Sequence, residues 1–167
     1  MLYRSVIFSL LFTACIAEEY CPDRWVLGRY PYGNFCHRTI SRYEVSTGEP
    51  TYIQADNWCR SQVGGRLASI HSDAENNIYR VNQIVMPSQL KGGAIGLIAE
   101  DGQSDTASNT RWLDGTPVTY NKIHVGTATQ FNVTLLGYTG QWNTKVPAYN
   151  IQLAFRYIHC KMDALIR

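Results

Sequence analysis

A chain of 167 residues, 45% hydrophobic and 17% charged, is long enough to close one hydrophobic core and short for two. With 15 Lys+Arg against 13 Asp+Glu its formal net charge is +2, a balance that gives no reason to expect nucleic acid as a partner. Five cysteines in so short a chain make the compartment in which it folds the next question.

The first residues answer it. Arg4 precedes an apolar run from Val6 to Ile16, and Cys15-Ile16-Ala17 supplies small residues of the kind a signal peptidase reads. Residues 1–17 are therefore expected to be a signal peptide cleaved after Ala17, and residues 18–167 a single secreted domain. The alternative, a membrane anchor, fails on length: the run is roughly a dozen residues, against about 20 for a helix that crosses a bilayer. No second such run follows, so the mature chain is read as having no membrane span. Loss of Arg4 leaves 14 Lys+Arg against 13 Asp+Glu, a formal charge of +1. Loss of Cys15 leaves Cys21, Cys36, Cys59 and Cys160, an even set bound for an oxidising compartment, which reads as two disulfides. Zinc is the weaker reading because no C-x2-C pair occurs, and the residues alone leave three disulfide pairings open.

From Cys21 to Tyr43 the chain is aromatic and turn-rich, with Trp25, Tyr30, Tyr32 and Phe35 around Pro31 and Gly33, and short strands about a turn are expected. Thr51 and Gln54 then form a capping box, Ala55, Trp58, Cys59 and Val63 recur at helical spacing, and Gly64-Gly65 ends the helix, with Cys59 on its buried face. A second box, Ser72 with Glu75, opens a helix whose apolar stripe is read as Ala74, Ile78, Val81 and Val85 and which Pro87 stops. Two amphipathic helices so close together imply a shared sheet or core. Ala94 to Ala99 is expected to be one short apolar strand, and Asp114-Gly115 a tight turn between strands. Asn121 to Gln141, rich in Thr, Gly and Asn, reads as a long loop, and Gln152 to Met162 as a strand that delivers Cys160.

These residues resemble, in order and spacing, the C-type lectin-like domain. The resemblance runs through Cys21, Cys36 and Cys59, then Gly65-Arg66-Leu67-Ala68-Ser69-Ile70-His71-Ser72 with Glu75, Ala94-Ile95-Gly96-Leu97, Trp112-Leu113-Asp114-Gly115, Trp142-Asn143 and Cys160. It spans Cys21 to Lys161 and implies an α+β fold: two helices packed on two small antiparallel sheets, with adjacent termini and a long loop region as the binding face. It also implies a pairing of Cys59 with Cys160, and of Cys21 with Cys36 as in the long form of the domain. The chain departs from the family in two places. No cysteine lies between Cys59 and Cys160 to staple the long loop, and Ala94 or Ile95 stands where a tryptophan precedes the glycine kept at Gly96.

In calcium-dependent members of that family the ion is held by Glu-Pro-Asn or Gln-Pro-Asp in the long loop and by an Asn-Asp pair after a tryptophan. Here Asn143 fills the asparagine place, Thr144 replaces the aspartate, and no such triplet lies between Tyr120 and Trp142. The Gly48-Glu49-Pro50 triplet precedes the first helix and is unrelated. Calcium takes six to eight oxygen ligands and its affinity follows their charge, yet Gly115 through Met162 contains no Asp or Glu. No cofactor is expected, calcium included, and Trp142-Asn143-Thr144 reads as strand. A separate acidic group, Glu100, Asp101 and Asp105 with Asp114 downstream, reads as a solvated loop.

Sugar recognition without an ion uses planar polar groups and aromatic rings, for which Tyr120, His124, Gln130, Phe131, Tyr138 and Asn143 are the candidates, with Trp142 expected to be buried. Asn132-Val133-Thr134 is an N-glycosylation sequon, and a glycan on Asn132 would crowd that face. The function expected is a secreted, non-enzymatic recognition module whose partner is an extracellular glycan or protein. A calcium-dependent lectin with an atypical site is the alternative. A hydrolase lacks its usual signatures, since there is no G-x-S-x-G, no H-E-x-x-H and no free thiol expected, and His71-Ser72-Asp73 are only sequence neighbours, whereas a triad needs tertiary geometry.

Overall fold

The computed structural model describes residues 17–48, 50–62, 64–84, 92–99, 110–124, 133–145 and 155–167, so the expected leader, apart from Ala17, lies outside the described residues. After a two-residue strand, β1 (Glu19–Tyr20), the aromatic stretch forms the expected hairpin from β2 (Val26–Tyr30) and β3 (Gly33–Ser41). Tyr30 pairs with Gly33, leaving Pro31 and Tyr32 as the whole turn. Gly33 sits at φ +144°, open to a residue without a Cβ.

Helix α1 (Tyr52–Ser61) opens on the expected box: Gln54 N donates to Thr51 Oγ1 (3.1 Å) and Thr51 N to Gln54 Oε1 (2.8 Å), satisfying two orphan donors. Ala55 and Cys59 are buried and Trp58 half-buried; Val63 lies outside the described residues. Asp56, also buried, accepts from Arg66 Nε (3.1 Å) and Leu67 N (3.0 Å), which fastens α1 to β4 (Arg66–Leu67).

Helix α2 (Asp73–Ile84) begins where expected, with Glu75 N donating to Ser72 Oγ (3.2 Å), but Glu75 Oε2 accepts from His71 N (2.6 Å), not from the cap residue. Its inward face is not the expected one. Ala74 and Val81 are exposed, Ile78 is half-buried, and Val85 and Pro87 lie outside the described residues. Glu75, Asn76, Tyr79 and Gln83 are buried instead, each with a partner in the sheet. Asn76 Nδ2 donates to Gly140 O (2.8 Å), Tyr79 OH to Cys160 O (3.1 Å) and Gln83 Nε2 to Leu136 O (3.0 Å), while Glu75 faces Lys161 Nζ at 2.7 Å. Hydrogen bonding offsets the desolvation that ordinarily keeps such groups outside.

The Ala94–Ala99 run is two strands, β5 (Gly93–Ile95) and β6 (Leu97–Ala99), in different sheets. The break is Gly96, whose N donates to Ala68 O (2.8 Å) and whose O accepts from Leu113 N (2.9 Å). A Cβ there would stand 2.5 Å from Leu67 O, so the close backbone approach demands glycine. β7 (Thr110–Trp112) pairs with β6. The Asp114-Gly115 turn forms, with Gly115 at φ +80° and its N bonded to Trp112 O (3.1 Å), but residues 115–122 after it are not a strand. Within the expected long loop lies β8 (Val133–Leu136), an apolar patch inside polar surroundings, joined by a turn to β9 (Trp142–Lys145). β10 (Tyr157–Asp163) and β11 (Leu165–Ile166) complete the chain; residues 152–154 of the expected last strand lie outside the described residues.

The α+β arrangement stands, with the strands of the described residues distributed as one seven-stranded sheet and two two-stranded ladders, β1–β11 and β6–β7. The large sheet runs β2-β3-β10-β5-β8-β9, with β4 also on β10, and only the β10–β5 contact is parallel. Both disulfides form as the resemblance implied, Cys21–Cys36 and Cys59–Cys160, each with 5.5 Å between Cα atoms. One buried cluster joins Tyr52 and Ala55 of α1 to Ile40, Leu67 and Ile158; another joins Tyr79 of α2 to Ile70, Leu97, Trp112 and Trp142.

Candidate functional site

Trp142-Asn143-Thr144 lies in β9, where Trp142 pairs with Leu136, Asn143 with Leu135 and Thr144 with Thr134. The Trp142 ring is buried, edge-on to Trp112 (5.5 Å) and Tyr120 (5.7 Å), and its Nε1 donates to Asn76 Oδ1 at 2.9 Å. Its backbone holds the incoming segment: Trp142 N donates to Lys122 O (2.8 Å) and His124 N to Trp142 O (2.9 Å). Three sequence-derived candidates, Tyr120, His124 and Asn143, are thus gathered around one tryptophan. Tyr120 OH donates to Asp73 Oδ1 (2.7 Å), which also meets Lys122 Nζ (2.9 Å). The bonds from Tyr120 and Lys122 hold the Asp73 carboxyl below its usual range. Burial, and then the bond to Asp73, push the Tyr120 hydroxyl up. Tyr138, on the β8–β9 turn, is 59% exposed. Gln130, Phe131 and Asn132 lie outside the described residues, as do Glu100, Asp101 and Asp105. Among the described residues no group of three or more His, Cys, Asp or Glu could hold a metal ion.

Two cavities flank this region. One, of about 530 Å³, runs between α2 and the β8–β9 turn, with Asp73, Asn77, Arg80, Lys122 and Gln141 in its walls. The other, of about 490 Å³, is lined by aromatic and apolar Tyr32, Phe35, Pro117 and Met162 together with polar His71, Asp114, Thr116 and Thr119, the Tyr32 and His71 rings meeting edge-on at 5.9 Å. Sequence reasoning missed this second cavity as a site because its walls come from the β2–β3 hairpin, β4, His71 ahead of α2, the segment after β7, and β10. The aromatic cluster at residues 30–35 was its one visible signal.

The polar wall of the second cavity is a connected network. Thr116 donates to Asp114 Oδ1 from its backbone N (3.0 Å) and its hydroxyl (2.6 Å). Because that hydroxyl donates to Asp114, it accepts from His71 Nε2 (3.1 Å), which assigns the imidazole proton to Nε2 and leaves Nδ1 an acceptor. Partial burial pushes the Asp114 carboxyl up, but hydrogen bonds from Ser69 and Thr116 and the charge of Lys161 outweigh it, and the carboxyl lies below its usual range. Burial and the Lys161 charge lower His71 against the opposing pull of Glu75 and Asp114, keeping the ring neutral. His71 therefore meets Thr116, and Ser72 serves as cap to α2 and partner to Tyr32 OH (2.9 Å); no Ser–His pair forms.

No family model matches the sequence and no curated protein matches it. Solved structures do. The cow C-type carbohydrate-recognition domain of CD23, in the presence of GlcNAc2Man3 oligosaccharide, is 22% identical, with 88% of this chain and 98% of that one covered and a TM-score of 0.64. The fold is that of a C-type lectin-like domain. The C-type lectin CEL-I from Cucumaria echinata (24% identical, 84% and 96% covered, TM-score 0.64) and a calcium-independent type II antifreeze protein (20% identical, 89% and 98% covered, TM-score 0.63) have the same fold. The two disulfides of this chain fit the C-type lectin-like fold.

Proposed function

We propose that the chain is a secreted recognition module that binds an extracellular ligand, carbohydrate or protein, without calcium and without catalysis. The observation that carries this reading is the absence of any Asp or Glu from Gly115 to Met162, with Thr144 beside Asn143. A divalent ion placed beside Asn143 would draw only neutral oxygens from that segment, and calcium affinity falls with the number of charged ligands. A calcium-independent antifreeze protein with this fold supports the idea that the architecture stands without the ion. All four cysteines of residues 18–167 are in disulfides, which removes a thiol nucleophile from consideration.

The test is a glycan array run with and without a chelator, alongside calorimetric titration with calcium. The expected result is binding indifferent to chelator, or a blank array and a protein ligand, with no calcium heat in the micromolar range. Chelator-sensitive sugar binding would establish the calcium-dependent alternative instead.

A further inference from the structure

We propose that the cavity between Tyr32, His71 and Asp114 is a binding site for the ring of a neutral sugar, separate from the Asn143 loop face. The inference rests on the calcium-independent recognition reading and gives it a ligand class and a place. Its volume, about 490 Å³, falls within the range of small-ligand sites, roughly 300–1,000 Å³.

Charge selects the ligand. The two cations in the walls already have carboxylate partners: Lys161 Nζ lies 2.7 Å from Glu75 and 4.0 Å from the Phe35 ring centroid, and Arg66 Nε bonds Asp56, which Arg60 shares, at 3.1 Å. An anion entering the cavity finds Asp114, Asp163 and no unpaired cation in its walls. A metal ion would meet two carboxylates in the walls, Asp114 and Asp163, but no group of three or more His, Cys, Asp or Glu among the described residues could hold one. A neutral, hydroxyl-rich molecule meets neither objection.

Hydrogen-bond capacity and shape select the same class. Thr116 and Ser69 fill three of the roughly four acceptor positions of the Asp114 carboxylate, and His71 Nδ1, an acceptor by the tautomer assigned above, has no protein partner among the described residues. Both sites accept from hydroxyls. Tyr32, whose ring meets that of His71 edge-on (5.9 Å between centroids), is stacked in parallel on Tyr30 (5.3 Å between centroids, 8° between planes) and remains 44% exposed. Stacking fixes the ring before a ligand arrives, so little side-chain entropy is lost when the C–H face of a pyranose lies against it.

The experiment is an NMR titration of labelled mature protein, in EDTA, with the methyl glycosides of glucose, galactose, mannose and N-acetylglucosamine. At least one glycoside is expected to shift resonances of Tyr32, His71 and Thr116. Tyr32→Ala and Asp114→Asn should each weaken it about tenfold, a loss on the scale of one aromatic contact or one hydrogen bond to a charged group. Tyr32→Phe, which keeps the ring and guards against a folding artefact, should retain binding, as should Tyr43→Ala at an exposed aromatic elsewhere. If no glycoside perturbs the cavity, the proposal is wrong. If the shifts centre on Tyr120, His124 and Asn143, the cavity assignment fails while calcium-independent recognition survives. Binding that appears only when calcium replaces EDTA overturns both.

Discussion

Glu75 and Lys161 are the most deeply buried opposite charges among the described residues, and Lys161 Nζ is also held by Ser69 O and Oγ, both at 3.3 Å. Removing one partner strands the other charge in a low-dielectric interior. Glu75→Gln is therefore expected to lower unfolding free energy by about 3 kcal/mol, and the double variant Glu75→Gln, Lys161→Met to recover part of that loss, measured as a double-mutant cycle in urea. Equal losses in the single and double variants would show that the pair is not coupled. Half of this residue's role was legible: Glu75 stands three positions after Ser72, a local spacing that announces a helix start. Its pairing with Lys161 was not, because the lysine reaches it only when β10 lies beneath α2.

At the scale of elements, α2 reverses the usual amphipathic rule. Its aliphatic residues suggested the inward stripe, yet Val81 is 42% exposed while Gln83 is buried. Hydrophobic patterning assumes that polar side chains find no partner inside, and here the sheet supplies one to each. Val81→Lys should accordingly change stability by no more than about 0.5 kcal/mol. Gln83→Leu should cost about 2 kcal/mol, because Leu136 O and the His159 ring nitrogen, 3.0 and 2.6 Å from Gln83 Nε2, lose their donor. Denaturation midpoints of the two variants test the inversion directly. The β5–β6 break is argued the same way: Gly96→Ala sets a methyl 2.5 Å from Leu67 O, a main-chain atom that cannot swing aside, and should destabilise by about 2 kcal/mol. Apolar periodicity marked this run as strand but carried no sign of the bend, which arises from the approach of the Leu67-Ala68 backbone.

For the whole molecule, the two disulfides act on the unfolded chain. Cys59–Cys160 spans 101 residues and Cys21–Cys36 spans 15, for which loop-closure entropy suggests about 4.7 and 3 kcal/mol. Replacing Cys59 and Cys160 by Ala should therefore cost more than replacing Cys21 and Cys36, as thermal melts of the two pairs would show. Acid sensitivity is also a property of the whole core. Tyr79 OH donates to Cys160 O, so it accepts from His37 Nδ1, and Nε2 of His37 is left to accept from Tyr30 OH (3.0 Å). His159 accepts from Gln83 at Nε2, leaving Nδ1–H for Thr39 Oγ1 (2.9 Å). Both rings are neutral. Burial, with the Lys161 charge added for His37, pushes each to about 3, below the ordinary value of about 6.5. Between those values the unfolded chain binds protons that the folded chain refuses, so stability is full above pH 6.5 and falls as pH drops towards 3. From pH 7 to pH 5 the two histidines together should remove about 4 kcal/mol, and urea titrations at those pH values should show a loss smaller by about that amount in the variant His37→Gln, His159→Gln if it folds.

Local chemistry written along the chain determined both helix starts, the strands and turn about Pro31 and Gly33, and the want of negative charge from Gly115 to Met162. Each depends on near neighbours or on composition, and needs no knowledge of the fold. Only the tertiary structure decided which face of α2 turns inward, where the Ala94–Ala99 run divides, and that Tyr32, His71, Asp114 and Lys161 share one cavity. Those outcomes depend on partners distant in sequence, whose hydrogen bonds, charges and close approaches exist only once the strands are paired.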